Sequence, residues 1–257
     1  MKRKLVAIGG GENGRLLENN IYAPYETEII DKEIIRLTDK GKPNFLFVGH
    51  AMSFSKKIEN SYYETMKRIY GDKFNCNCKI LKSIDLNNKK KVQSLIDWSD
   101  IIYVSGGDTK LMIDLWKLHE FDKILYDAWN SGKVICGISA GAACWFKEFN
   151  SKLDNGFFCL SGLNWFEFHL TPHSNENGRR VATKKFLKNN KLKGIMLSNS
   201  CAIEIIDNQY QIICNSCDNI KEPFATISFW KNNKYIEKKL NNNELHFISE
   251  LFDIESE

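Results

Sequence analysis

A chain of 257 residues with 43% hydrophobic and 26% charged residues is globular in composition and long enough to bury a substantial core. Its 36 basic and 32 acidic residues leave a net charge of +4, scattered along the sequence without a basic block, which argues against a nucleic-acid partner. No stretch approaches the ~20 apolar residues of a membrane span, and residues 5–8, behind the basic start, are far too few for a signal-peptide core. A single α/β domain over 1–257, cytoplasmic, with its eight cysteines as reduced thiols, is therefore expected.

Leu5-Val6-Ala7-Ile8 reads as a short buried strand running into Gly9-Gly10-Gly11-Glu12-Asn13-Gly14. Gly9, Gly11 and Gly14 match G-x-G-x-x-G, but the acidic residue expected ~20 positions on, at the end of a second strand, is not where it should be. Residues 28–35 have helical spacing instead, which puts Asp31 and Glu33 on a solvent-facing side and makes the glycines a tight turn at a sheet edge. Strands follow at 44–48, ending in Gly49-His50-Ala51, at 79–81, and at 101–104, ending in Ser105-Gly106-Gly107-Asp108-Thr109. Helical patterns occupy 55–70, 89–96, 110–118 (capped by Asp108 or Thr109) and 121–129. Strands alternating with helices predict a doubly wound, mostly parallel sheet with helices on both faces, and ligands bind at the carboxyl ends of such strands. The glycine loops 9–14, 105–109 and 137–141 share that edge. Further on, 157–168 is apolar and aromatic, 180–187 is helical, and 194–197 reads as a strand. Strands 201–206 and 210–214 pair across Asp207-Asn208-Gln209. Alternation over 224–248, with asparagines at 232, 233 and 241–243 as turns, predicts antiparallel edge strands at the C-terminus, and 253–257 should fray.

The chemistry concentrates at 133–146. A strand enters Gly137-Ile138-Ser139-Ala140-Gly141, and a helix-compatible stretch, 142–146, follows. G-x-S-x-G between strand and helix exposes a serine hydroxyl above the sheet edge, so Ser139 is the nucleophile candidate. The competing reading is that Gly137 and Gly141 only permit close strand–helix packing. A serine needs a base to take its proton. Of five histidines, His119 and His246 read as structural or solvated, and His50 ends a strand at the ligand edge and could line the pocket. His169 and His173 follow the serine on a strand-to-loop segment, and Pro172 holds His173 at a loop start, which ranks it first. An oxyanion hole needs two converging N–H donors: Ala140, next to the serine, and Gly107, where no side chain blocks the amide. Cys76-Asn77-Cys78 and Cys214-Asn215-Ser216-Cys217 do not repeat a spacing and bring no histidine, so no metal site is expected from them; Cys136 and Cys144 read as core residues.

Taken together and in order, the glycine turn, Ser105-Gly106-Gly107-Asp108-Thr109, Gly137-Ile138-Ser139-Ala140-Gly141-Ala142 and Pro172-His173 resemble the dipeptidase E and cyanophycinase family of serine peptidases, over residues 4 to about 215. The resemblance implies a flavodoxin-like α/β fold of the class I glutamine amidotransferase type, no metal or cofactor, and cytoplasmic hydrolysis of dipeptides or small peptides through an acyl-enzyme. It makes Ser139 the nucleophile, His173 the base, and Gly107 and Ala140 the oxyanion donors. The chain departs from the family at the third triad position, where a glutamate is replaced by Asn199; Glu204, five residues on, is the alternative, and Asp154 falls at the spacing of a further family aspartate. A preference for amino-terminal aspartate would call for a cation, and Arg179 and Arg180 are placed for it, unless both are solvated at a helix start. Cyanophycin would instead need acidic contacts such as Glu176. Two other readings compete: an esterase of the α/β-hydrolase type, and a catalytically weak binding protein that kept the fold. A homodimer through the edge strands is one assembly the pattern allows.

Overall fold

The computed structural model describes residues 1–17, 20–216 and 222–254. The first half alternates as its periodicity predicts: β1 (Lys4–Ile8), α1 (Glu28–Arg36), β2 (Asn44–Val48), α2 (Lys56–Met66), β3 (Asn77–Leu81), α3 (Lys89–Trp98), β4 (Ile101–Val104), α4 (Thr109–Leu118), α5 (Phe121–Asn130) and β5 (Val134–Ile138). β4 and β5 are buried along their whole length, which is why they read as unbroken apolar runs. Asp108 caps α4 by accepting from the Leu111 amide at 2.9 Å. The helix expected over 142–146 is a single turn, α6 (Ala140–Ala143), because the fully buried Trp145 and Phe146 lead straight into a strand. The remainder is β6 (Phe146–Leu153), β7 (Gly156–Ser161), β8 (Phe166–Thr171), α7 (Arg179–Lys188), β9 (Gly194–Leu197), β10 (Cys201–Ile206), β11 (Gln209–Cys214), β12 (Ala225–Lys231), β13 (Lys234–Leu240), β14 (His246–Phe247) and α8 (Ile248–Asp253). Of the end expected to fray, Asp253 closes α8, and 255–257 lie outside the described residues.

Two sheets form where one was expected. The first has the order β14-β11-β10-β1-β5-β4-β2-β3, with β1, β5, β4, β2 and β3 parallel and β10 antiparallel to β1. The second has the order β13-β12-β9-β8-β6-β7; β6, β8 and β9 run parallel, and β7, β12 and β13 pair antiparallel. The C-terminal hairpin therefore does not edge the parallel sheet. β12 lies inside the second one, joined to β13 by Asn232 and Asn233, both at positive φ (50° and 62°) as a two-residue hairpin turn requires. One apolar cluster runs through both sheets, from Leu5, Val104 and Trp116 to Trp145, Phe149, Leu170 and Ile227.

Two expectations are corrected by burial and register. Asp31 is only 1% exposed, not solvent-facing; its carboxylate accepts from Tyr25 (2.8 Å), Thr27 (2.8 Å) and Tyr70 (2.7 Å), and burial pushes it up to about 6. Cys201 and Cys214 stand opposite each other in the β10–β11 ladder and are joined as a disulfide, so these two are not reduced thiols. Cys217 lies outside the described residues, and Cys76, Cys78, Cys136, Cys144 and Cys159 are free. Among the described residues no helix is long and apolar enough to cross a membrane.

Candidate active site

β1, β5 and β4 are neighbours, so the loops after them, beginning at Gly9, Ser139 and Ser105, meet at one edge of the first sheet. Ser139 turns the chain at φ 56°, ψ −105°, and its half-buried side chain stands at that edge. The flanking glycines make the turn possible. A Cβ at Gly137 would lie 2.5 Å from the Gly141 carbonyl oxygen, and one at Gly141 would lie 2.2 Å from the Val104 carbonyl oxygen. Close packing and a serine presented at the sheet edge are thus consequences of one geometry.

His173 and Asn199 come from the second sheet, beyond the C-terminal ends of β8 and β9, which are parallel neighbours and deliver their loops to the same side. His173 Nε2 lies 2.8 Å from Ser139 Oγ, and His173 Nδ1 lies 2.7 Å from Asn199 Oδ1. An amide oxygen only accepts, so Nδ1 carries the hydrogen and Nε2 presents its lone pair to the serine hydroxyl. Burial pulls the imidazole below its ordinary range, opposed by the Asn199 hydrogen bond. His173 takes φ 51°, a left-handed conformation uncommon outside glycine, and its amide bonds to the Gly9 carbonyl at 2.9 Å.

The Ile8-Gly9-Gly10 segment joins all of this. Its three successive carbonyls accept from the amides of Ser139, His173 and Ser200, each at 2.9 Å. The backbone must also pass directly beneath the His173–Asn199 pair: a Cβ on Gly10 would sit 2.2 Å from His173 Nδ1 and 2.4 Å from Asn199 Oδ1. The sequence reading took these glycines for a turn only; three in a row, more than a turn needs, was the signal. Asn175 was missed as well. Its Oδ1 accepts from the Asn199 amide at 2.9 Å and anchors the residue that faces the imidazole.

Other candidates fall elsewhere. The Gly106-Gly107 loop abuts Ser139, since a Cβ on Gly106 would lie 3.4 Å from the serine Cβ, and neither the Gly107 nor the Ala140 amide donates to another described residue. His50 does not line a pocket. It is fully buried, receives the Trp116 indole N–H at Nδ1 (2.9 Å), lies 3.0 Å from the Leu81 carbonyl through Nε2, and is pulled down to about 4 by burial. Asp154 sits in the exposed β6–β7 turn, without a hydrogen bond or ion pair among the described residues. Glu204 faces Gln211 (2.8 Å) and is pushed up to about 7 by burial beside Glu33; it belongs to the β10–β11 ladder, not to His173. Arg179 is buried and committed to Glu176 (3.0 Å) and the Asn150 carbonyl (3.2 Å). Arg180 pairs with Glu237 on the rim of a cavity of about 480 Å³ that Ser174, Asn199 and Phe224 also line.

An α/β fold with a serine at a strand-to-helix turn, hydrogen-bonded to an imidazole, defines the chain as a serine-type hydrolase. The model of Peptidase family S51 matches residues 20–213, and the chain belongs to that family; it is a serine-type peptidase. It is 28% identical over 209 residues to the uncharacterized peptidase YgaJ of Bacillus subtilis (strain 168), covering 80% of this chain and 85% of the relative. The crystal structure of a peptidase from an acI-B1 Actinobacterium shares the fold with a TM-score of 0.66 at 20% identity, over 95% of this chain and 96% of that one. A putative peptidase E protein from Listeria monocytogenes EGD-e does so with a TM-score of 0.56 at 15% identity, over 94% and 100%.

Proposed function

We propose that the protein hydrolyses dipeptides and other small peptides, with Ser139 as nucleophile, His173 as general base and Asn199 as the residue that orients it. The observation that carries this reading is the unbroken Ser139–His173–Asn199 hydrogen-bond chain, at 2.8 and 2.7 Å. His173 is neutral at pH 7 because burial lowers its pKa, so Nε2 is free to take the Ser139 proton as Oγ attacks the peptide carbonyl. The Ala140 and Gly107 amides, with no other acceptor among the described residues, donate to the oxyanion. The proton passes from Nε2 to the departing amine as the C–N bond breaks, and water then attacks the acyl-enzyme with His173 again as base. Asn199 holds the same imidazole tautomer that a carboxylate would, but without a negative charge to stabilise the imidazolium. An amino-terminal aspartate is the substrate side chain we assign to Arg180, which lines the cavity beside Asn199 and would exchange its Glu237 partner for it.

The test is hydrolysis of a dipeptide panel, including Asp-X with free and blocked amino termini, by the wild type and by Ser139→Ala. Turnover should fall by more than about 10³-fold in the variant. Turnover retained by Ser139→Ala would remove the serine mechanism. Fluorophosphonate labelling of Ser139 without turnover of any dipeptide would leave an activated serine and remove the dipeptide reading, in favour of esters.

A further inference from the structure

Glu148 on β6, Cys159 on β7 and His169 on β8 lie on one face of the second sheet, placed there by register. Glu148 is aligned with His169 on β8, and Asn150, two residues along the same face of β6, is aligned with Cys159. α7 packs over this face. The three donor atoms close a triangle: Cys159 Sγ to Glu148 Oε2 is 3.3 Å, Cys159 Sγ to His169 Nδ1 is 3.7 Å, and His169 Nδ1 to Glu148 Oε2 is 3.7 Å.

Those lengths fit an ion held between the three groups better than a direct His169–Glu148 hydrogen bond. At 3.7 Å the imidazole and the carboxylate are too far apart for a hydrogen bond, which needs about 2.7–3.2 Å. Two ligands on one tetrahedral Zn²⁺, with bonds of about 2.0–2.3 Å, stand about 3.3–3.8 Å apart. The triangle has the dimensions of a tetrahedral face. His169 is fully buried, yet Nδ1 meets only the Cys159 sulfur and the Glu148 carboxylate, each at 3.7 Å, and Nε2 has no partner among the described residues. A buried imidazole left this poorly satisfied and aimed at a thiol and a carboxylate calls for an ion.

We propose that Glu148, Cys159 and His169 form a Zn²⁺ site that ties β6, β7 and β8 together. The donor set favours zinc: thiolate and imidazole suit it, and one carboxylate completes a neutral complex of Zn²⁺ with two anionic ligands and a neutral histidine. On binding, the Cys159 S–H bond breaks, its proton leaves to solvent and an S–Zn bond forms. Asn190 donates to Glu148 Oε2 at 2.6 Å and orients the carboxylate; the fourth position falls to water, on the side where the Glu148 side chain keeps 26% exposure. His169 Nδ1 ligates, so Nε2 keeps its hydrogen without an acceptor, which sets the affinity about 10–100-fold below that of a site with a supported histidine. β8 continues through Pro172 to His173, so the ion would brace the strand that leads to the general base, four residues away along the chain.

The experiment is titration of the chelator-treated, full-length protein with Co²⁺ under reducing conditions, followed by displacement with Zn²⁺. One equivalent of Co²⁺ should give a thiolate-to-metal charge-transfer band and intense visible bands of tetrahedral geometry, both removed by Zn²⁺, and Zn²⁺ should raise the Tm. Cys159→Ser, at a half-buried position that tolerates the exchange, should lose the charge-transfer band and bind Zn²⁺ at least about 100-fold more weakly. Glu148→Gln should keep the band and bind about 10-fold or more weakly. The Cys76→Ser/Cys78→Ser double variant should bind as the wild type does. Absence of the band, its survival in Cys159→Ser, or its loss in the Cys76/Cys78 variant would each overturn the proposal.

Discussion

Replacing Gly10 with alanine tests whether the glycine segment holds the site or merely turns the chain. The new methyl would lie 2.2 Å from His173 Nδ1 and 2.4 Å from Asn199 Oδ1, so the imidazole has to retreat by about 1.2 Å to reach ordinary van der Waals contact. Its hydrogen bonds, now 2.7 and 2.8 Å, cannot both survive such a shift, since they weaken steeply beyond about 3.2 Å. A misplacement of about 1 Å in a catalytic group costs about 10²-fold, equivalent to about 2.7 kcal/mol of transition-state stabilisation. The rate constant for fluorophosphonate labelling measures this without knowledge of the substrate, with far-UV circular dichroism and Tm as checks of folding. Gly41→Ala is the control: nothing lies within 4 Å of the added methyl, and the substitution should leave labelling unchanged while stabilising by about 0.4–1 kcal/mol through the unfolded chain. A folded Gly10→Ala protein that labels within about threefold of the wild-type rate would refute the reasoning.

Asn199→Asp should raise the His173 pKa, because a carboxylate stabilises the imidazolium as a neutral amide does not; the acid limb of the labelling rate then moves to higher pH. His50 is buried neutral with its pKa pulled down to about 4, so the unfolded chain takes up a proton below about 6.5 that the native state refuses. Its stabilising contribution is complete above about 6.5 and lost as the pH falls toward about 4, by up to about 3 kcal/mol, and urea unfolding of His50→Asn should show a flatter pH dependence across that window. Breaking the Cys201–Cys214 disulfide, which spans 13 residues, by the double alanine variant should destabilise by about 3 kcal/mol, read as a lower Tm under non-reducing conditions and no difference from the reduced wild type.

What the sequence by itself determined is local. The strands of the first half are apolar runs bounded by glycines, and the helices around residues 28–36, 89–98 and 109–130 carry a 3.6-residue period, so both were legible with bounds good to a few residues. Ser139 was legible because G-x-S-x-G is a local backbone device, and Pro172 marked His173 because proline constrains the backbone just before it. Pairing across the chain is decided by burial and register, which no short window contains. Only the tertiary structure turned the chain at Trp145 and sent Phe146 into a second sheet, and only that sheet's parallel β8 and β9 brought His173 and Asn199 to the edge where Ser139 stands. The same packing enclosed His50 behind Trp116, left Asp154 at an exposed turn, and sank Asp31 among two tyrosines and a threonine. Residue types and spacing identify what a side chain can do; which side chains meet is settled by the strands that carry them.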